Sequence, residues 1–174
     1  MALPQLPDTS ISRKIDPLLA RVGESISWLW LVLLLVIVGN VTLRYVFGEG
    51  RIELEELQWH LYSLGFLLGL SYAFQADAHI RVDVVSEHLP DRWRAWLELY
   101  GLLLALLPFI LLVLWYSAPF VAASWTAGEV SGSPGGLPLR WLIKAVLPLG
   151  FFLLLLAVLS RLSRLWTYLF GGRH

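Results

Sequence analysis

The four histidines carry the broadest chemistry in this sequence, because imidazole ligates haem iron and transfers protons near neutral pH. His60 lies in an apolar segment, whereas His79, His88 and His174 lie outside the apolar segments. His60 and His79 are 19 residues apart, which is about 28 Å along one helix axis. They cannot ligate the same iron, so a haem would need its second ligand from a partner chain.

Polar residues near the ends of apolar segments offer a second kind of chemistry. Asn40 is the one strongly polar residue well inside the first apolar segment, and Arg44 follows one turn later, where it can extend to the membrane surface. Glu55 and Glu56 begin the second segment, and either could pair with Arg44. These are either helix-end charges among lipid headgroups or a polar clasp that orients helix one against helix two or a partner.

Other reactive constellations are missing from the sequence. No nucleophile–base pair, phosphate loop or carboxylate pair at catalytic spacing stands out. There is no cysteine, and the formal net charge of zero provides no basic surface for nucleic acid. We therefore expect no catalytic, cofactor-binding or metal-binding residue, no nucleic-acid partner and no enzymatic activity.

The composition indicates the environment of the chain. Apolar residues make up 57% of the 174 residues and charged residues 15%, against about 45–50% and about 25% in soluble domains. A domain of this size has too little polar surface to cover so many apolar side chains. The sequence predicts a single integral membrane domain over residues 1–174.

The apolar residues form four blocks, which predict an all-α integral membrane fold with four transmembrane helices. The blocks cover about 26–47, 55–76, 94–125 and 137–170. The first block, with 22 residues, would be about 33 Å long, enough for a hydrocarbon core of about 30 Å. The last two are longer than a perpendicular span requires, so they tilt, bend at Pro108 and Pro148, or project from the bilayer.

The basic residues orient the chain. Nine lie in the N-terminal segment, the second loop and the tail, against four on the opposite side. This asymmetry predicts that both termini are cytoplasmic. In the segment 1–25, Asp16 and Pro17 provide a plausible N-cap and first helical position, which predicts a short amphipathic helix on the cytoplasmic surface. The alternative is a simple N-terminal extension of the first span.

Small residues mark one face of the second block. Gly65, Gly69 and Ala73 recur every four residues, a spacing that lets helices approach closely in lipid. This face packs either within the chain or against another subunit.

Three segments together resemble the small membrane subunit (DctQ-like, Q subunit) of tripartite ATP-independent periplasmic (TRAP) transporters. They are NVTLRYVF at 40–47, EELQWHLYSLGFLLGLSYAFQADAHIRVD at 55–83, and GGLPLRWLIKAVLP at 135–148. The resemblance covers roughly residues 24–170. Within these segments, LQWHL at 57–61, HIRVD at 79–83 and GGLPLRWLIK at 135–144 look most like the branch for mannitol/chloroaromatic compounds or 2-oxo acids.

The resemblance implies a function. Such systems import organic acids across the bacterial inner membrane, driven by a sodium gradient. A periplasmic binding protein delivers the substrate, and a large M subunit holds the substrate and sodium sites. The Q subunit packs beside it as a scaffold without a cofactor. His79, Arg81 and Asp83 would then form a structural cytoplasmic turn, with ordinary loop charge as the alternative.

Two other functions remain open from the residues alone. A membrane anchor for an electron-transfer complex would rest on His60 and the four-span form. A self-sufficient small exporter would need a polar cavity in a homodimer, for which only Asn40 offers a start.

Overall fold

The computed structural model describes residues 6–78 and 89–171, and four helices account for most of these residues. They are α1 (Ser12–Val46), α2 (Ile52–Gln75), α3 (Asp91–Thr126) and α4 (Arg140–Phe170). The described ranges contain no strand. The all-α class is confirmed.

Three of the four helices are long and apolar enough to cross a membrane, namely α1, α3 and α4. They contain 35, 36 and 31 residues, or about 46–54 Å at about 1.5 Å per residue, so all three exceed a core of about 30 Å. Helix α2 has 24 residues but is less apolar than the other three, because polar residues such as Gln58, His60 and Ser71 lie along it, and it is not among the helices apolar enough to cross a membrane. The fourth predicted span is therefore not confirmed.

The N-terminal segment continues directly into the first span. Ser12 N donates to Thr9 Oγ1 at 3.0 Å, and Thr9 N donates to Ser12 Oγ at 2.9 Å. This reciprocal pair satisfies backbone donors in the way a capping box does, so the helix begins before Asp16. The predicted start at Asp16 and Pro17 is wrong, since Pro17 lies inside α1. A separate amphipathic helix is not confirmed, and the segment extends the first span.

Helix α3 accommodates a proline through a local change of helix type. A π-helical segment, Leu102–Leu106, directly precedes the turn that contains Pro108. Proline has no N–H to donate and its ring crowds the carbonyl of the preceding turn, which a wider turn relieves. Pro148 likewise lies within α4. Both overlong blocks therefore form continuous helices.

Helix α2 lies between α1 and α4, and α4 lies between α2 and α3. Gly23 of α1 faces Tyr72 near the end of α2, and Arg44 pairs with Glu55 near its start, so α1 and α2 are antiparallel. Helices α2 and α4 run in the same direction. The N-terminal part of α1 also reaches the C-terminal part of α4.

Two clusters of buried apolar side chains join α3 to α4. One core cluster contains Ala95, Leu99, Leu102 and Leu165, and the other contains Ile110, Leu154 and Val158. Many large apolar side chains on all four helices are exposed, among them Trp28, Trp59 and Trp115. Exposed apolar surface on this scale indicates contact with lipid or another protein.

Candidate functional site

The charged side chains gather at the two ends of the helices. The first group, the Glu56 cluster, contains Glu56, Glu129, Arg140 and Lys144 and joins the start of α2 to the loop between α3 and α4. The second group, the Arg164 cluster, contains Asp8, Asp16, Glu98, Arg161 and Arg164 and joins the N-terminal segment to α4. Between them, residues 25–43, 57–74, 99–128 and 145–160 contain no Asp, Glu, Lys or Arg. Lys144 and Arg161 mark the two ends on α4 and are 17 residues apart, or about 25 Å.

Glu56 fixes the beginning of α2 against the loop that leads into α4. Its carboxylate accepts a hydrogen bond from Leu137 N at 2.6 Å and another from the Ser131 hydroxyl. Gly136 is needed beside it, since a Cβ there would lie 2.9 Å from Glu56 Oε1 and would overlap Ser131. Sequence reasoning offered Glu56 as a partner of Arg44 and missed these contacts, which join residues 75 and 81 positions apart.

Of the two predicted partners of Arg44, Glu55 makes the pair. Their Nη1 and Oε1 atoms are 3.3 Å apart, and both side chains are exposed, at 59% and 42%. An exposed pair of this kind contributes little stability. Asn40, one turn earlier, is buried, and its Oδ1 has no hydrogen-bond partner within the described ranges.

Glu129 holds the loop between α3 and α4 to the start of α4. Lys144 Nζ donates to Glu129 Oε2, and Arg140 Nε lies 4.0 Å from Oε1. The pKa of the Glu129 carboxyl is lowered, chiefly by the hydrogen bond from Lys144. These contacts of Glu129 were not predicted from the sequence.

Arg164 joins the N-terminal segment to the last helix. Its Nη2 atom lies 2.7 Å from Asp8 Oδ1 and 2.8 Å from Asp16 Oδ2. Ser160 Oγ donates to the other oxygen of Asp16 at 2.6 Å. Asp16, predicted as a helix cap, instead links α1 to α4.

Arg161 extends the Arg164 cluster to α2 and α3. Its Nε donates to Glu98 Oε1 at 2.8 Å, and its Nη2 lies 3.7 Å from Asp77 Oδ1, just beyond the end of α2. Gln75 Nε2 donates to Asp16 O at 3.1 Å. From the sequence, these arginines indicated only that their side of the membrane is cytoplasmic. One pattern in the sequence could have predicted these ion pairs. Asp16 and Glu98 are acidic residues that lie close to several basic residues.

The small-residue face of α2 borders a groove against α1. The groove has a volume of about 420 Å³ and is lined by residues that include Gly65, Gly69 and Ala73. Gly65 packs within the chain, because a Cβ there would lie 3.2 Å from the Trp30 ring. A Cβ on Gly69 would meet nothing within 4 Å. The middle of this face is therefore open.

The histidines do not form a ligand set in the described part of the chain. His60 Nδ1 lies 2.6 Å from Glu56 O in its own helix. No group of three or more His, Cys, Asp or Glu side chains that could hold a metal ion occurs among residues 6–78 and 89–171. His79, Arg81 and Asp83, which were predicted to form a structural turn, lie outside the described residues.

The polar contacts join the helices at both ends and leave an apolar middle between them. A family model described as tripartite ATP-independent periplasmic transporters, DctQ component, matches residues 33–168. The match begins inside α1 and extends almost to the end of α4. A search of the curated proteins finds no match.

Proposed function

Because the chain belongs to the DctQ component family of tripartite ATP-independent periplasmic transporters, we propose that it is the non-catalytic scaffold subunit of a sodium-driven importer of organic acids. One observation carries the scaffold role. The ion pairs that join different helices lie in two groups at the helix ends, and the apolar stretches between them contain no Asp, Glu, Lys or Arg. A protein that moves ions or protons itself usually places ionisable groups within its spans.

We propose that α2 is the fourth span. Glu56 belongs to one cluster and Gln75 to the other, and they are 19 residues apart, or about 28 Å along the helix. This length matches a hydrocarbon core of about 30 Å. Helix α2 also packs along α1 and α4, which are themselves long and apolar enough to span.

Four spans would place both termini on one side of the bacterial inner membrane. The excess of basic residues favours the cytoplasm for that side. The Arg164 cluster would then be cytoplasmic, and the Glu56 cluster would face the periplasm.

The partners of this subunit would be a large permease subunit, a periplasmic substrate-binding protein and the lipid bilayer. Sodium and substrate would bind to the large subunit, and this chain would need no cofactor. The open Gly69 position, Ala73 and the exposed Arg44 are the proposed contacts to the large subunit. The assignment to the mannitol/chloroaromatic or 2-oxo acid branch stays a prediction.

Reconstitution in proteoliposomes tests the proposal. The chain is purified with a large permease subunit and a binding protein encoded beside it, and uptake of radiolabelled organic acids is measured with an inward sodium gradient. We expect uptake only when all three proteins are present. Sodium-driven uptake by this chain alone would contradict the scaffold role.

No observation on the described residues favours an electron-transfer anchor, because the one histidine inside an apolar helix contacts its own backbone. An absorption spectrum of the purified protein is the direct check. We expect no Soret band.

A further inference from the structure

A small cavity lies inside the Arg164 cluster, where α1, α2 and α4 meet. Its volume is about 20 Å³, and its lining includes Asp16, Gln75, Ala157, Arg161 and Arg164. A cavity holds one water molecule when its volume exceeds about 10–15 Å³ and its walls supply two to four polar partners. This cavity has the size for a single water molecule.

Three buried polar atoms on the lining residues have no hydrogen-bond partner among the described residues. They are Gln75 Oε1, Arg161 Nη2 and Arg164 Nε. The Gln75 amide has a defined orientation, because its Nε2 donates to Asp16 O at 3.1 Å. Oε1 is therefore the acceptor that remains. Buried polar groups in proteins are normally satisfied by protein or by ordered water.

The chemistry of these three atoms selects the ligand. Two are N–H donors and one is a carbonyl acceptor, a set that one water molecule matches by accepting two hydrogen bonds and donating one. An anion would be repelled by Gln75 Oε1 and by the carboxylates that pair with the arginines. A metal cation would be repelled by the two guanidinium groups.

We propose that the cavity binds one structural water molecule that joins Gln75 of α2 to Arg161 and Arg164 of α4. The water completes the Arg164 cluster, in which the direct contacts already connect α1 to α4 and α3 to α4. It adds a polar connection from Gln75 of α2 to α4, beside the pair of Asp77 and Arg161 just beyond the end of α2, as Glu56 joins the start of α2 to the loop before α4.

A crystal structure of the full chain in a lipid phase, at a resolution that shows ordered water, tests the proposal directly. We expect one density peak within hydrogen-bond distance of Gln75 Oε1, Arg161 Nη2 and Arg164 Nε. Crystals grown with bromide distinguish water from an anion. An anomalous peak at this position, or an empty cavity, would overturn the proposal.

A pair of variants of equal shape provides a second, independent test. Ala157→Thr and Ala157→Val place the same volume into the cavity, but only threonine brings a hydroxyl that can replace the water. We expect the Tm of Ala157→Thr to exceed that of Ala157→Val by about 2–8 °C. An equal or higher Tm for Ala157→Val would indicate a dry cavity and contradict the proposal. If neither variant folds, the density in the unmodified chain decides.

Discussion

Arg164 shows how a single side chain can connect distant parts of a membrane protein. Its guanidinium pairs with Asp8 and Asp16, and Ser160 holds the second oxygen of Asp16. Arg164 and Asp16 are mostly buried, with side-chain exposures of 27% and 17%. Removal of one partner from such a pair leaves an unpaired charge in a poorly solvated place.

Arg164→Ala is therefore expected to destabilise the chain. After a discount for partial exposure, we expect a loss of about 1–2 kcal/mol, or a fall in Tm of about 2–8 °C. The measurement is thermal unfolding in detergent. Arg51→Ala is the matched control, because its pair with Glu49 lies within one loop and is exposed. An equal effect of both variants would count against the Arg164 cluster.

Glu129 gives a prediction for pH. Its pKa lies below the ordinary value of 4.5, mainly because Lys144 donates a hydrogen bond to it. A carboxyl whose pKa is lower in the folded state contributes stability above the unfolded pKa and loses it as the pH falls through the folded pKa. The unmodified chain should have a higher Tm than Glu129→Gln. This difference should be largest near pH 7 and should decrease as the pH falls below about 4.5. A difference that does not change with pH would contradict this assignment.

At the scale of helices, glycines determine how closely α2 approaches its neighbours. The Tyr72 ring of α2 covers Gly23 of α1, and the backbone of Leu67 in α2 faces Gly150 of α4. Close approach between backbones is a main source of helix association in lipid, where the hydrophobic effect does not drive it.

Gly150→Ala should separate α2 from α4. The added Cβ would lie 2.7 Å from Leu67 O, and backbone atoms cannot move aside as a flexible side chain can. We expect a fall in Tm of several degrees. Gly101→Ala is the control, because its Cβ would meet nothing within 4 Å and alanine favours a helix by up to about 1 kcal/mol. If the Tm of Gly150→Ala is not lower than that of Gly101→Ala, the close approach of α2 and α4 at Gly150 does not stabilise their packing.

Gly69→Leu separates packing inside the chain from packing against a partner. Because a Cβ on Gly69 would have no neighbour within 4 Å, we expect the isolated chain to keep its Tm. If the open face meets the large permease subunit, recovery of the complex by affinity purification should fall at least several-fold. Gly101→Leu, on α3, serves as the control for a bulky residue elsewhere. Full recovery with Gly69→Leu would exclude this face as the contact.

At the scale of the whole molecule, the two clusters define the thickness of the apolar region. On α4 they are separated by about 25 Å, close to the thickness of a bilayer core of about 30 Å. The stretches between them carry no charged residue, so the molecule presents an apolar belt with a polar network on each side.

Single cysteines test the number of spans and the orientation, since the chain contains no cysteine of its own. If α2 crosses the membrane, Gly50→Cys and Ala78→Cys lie on opposite sides. We expect a membrane-impermeant maleimide to label Gly50→Cys in intact spheroplasts and Ala78→Cys only after permeabilisation. Labelling of both residues from the same side would exclude α2 as a span.

The sequence by itself determined the helical class, the transmembrane character of α1, α3 and α4, and the resemblance that the family match supports. These properties depend on consecutive residues, because hydropathy and helical spacing are local sums. The start of α1 was placed wrongly, since the exchange of hydrogen bonds between Thr9 and Ser12 is not apparent from hydropathy.

Only the tertiary structure decided which polar residues meet. Asp16 and Ser160 are 144 residues apart, and Glu56 and Leu137 are 81 apart. Nothing local in the sequence states that α2 packs between α1 and α4, and this order is what brings these partners together. The same packing left Gly69 open while it covered Gly23 and Gly150. The residue types alone could not separate these glycines, because the space beside each is set by the neighbouring helix.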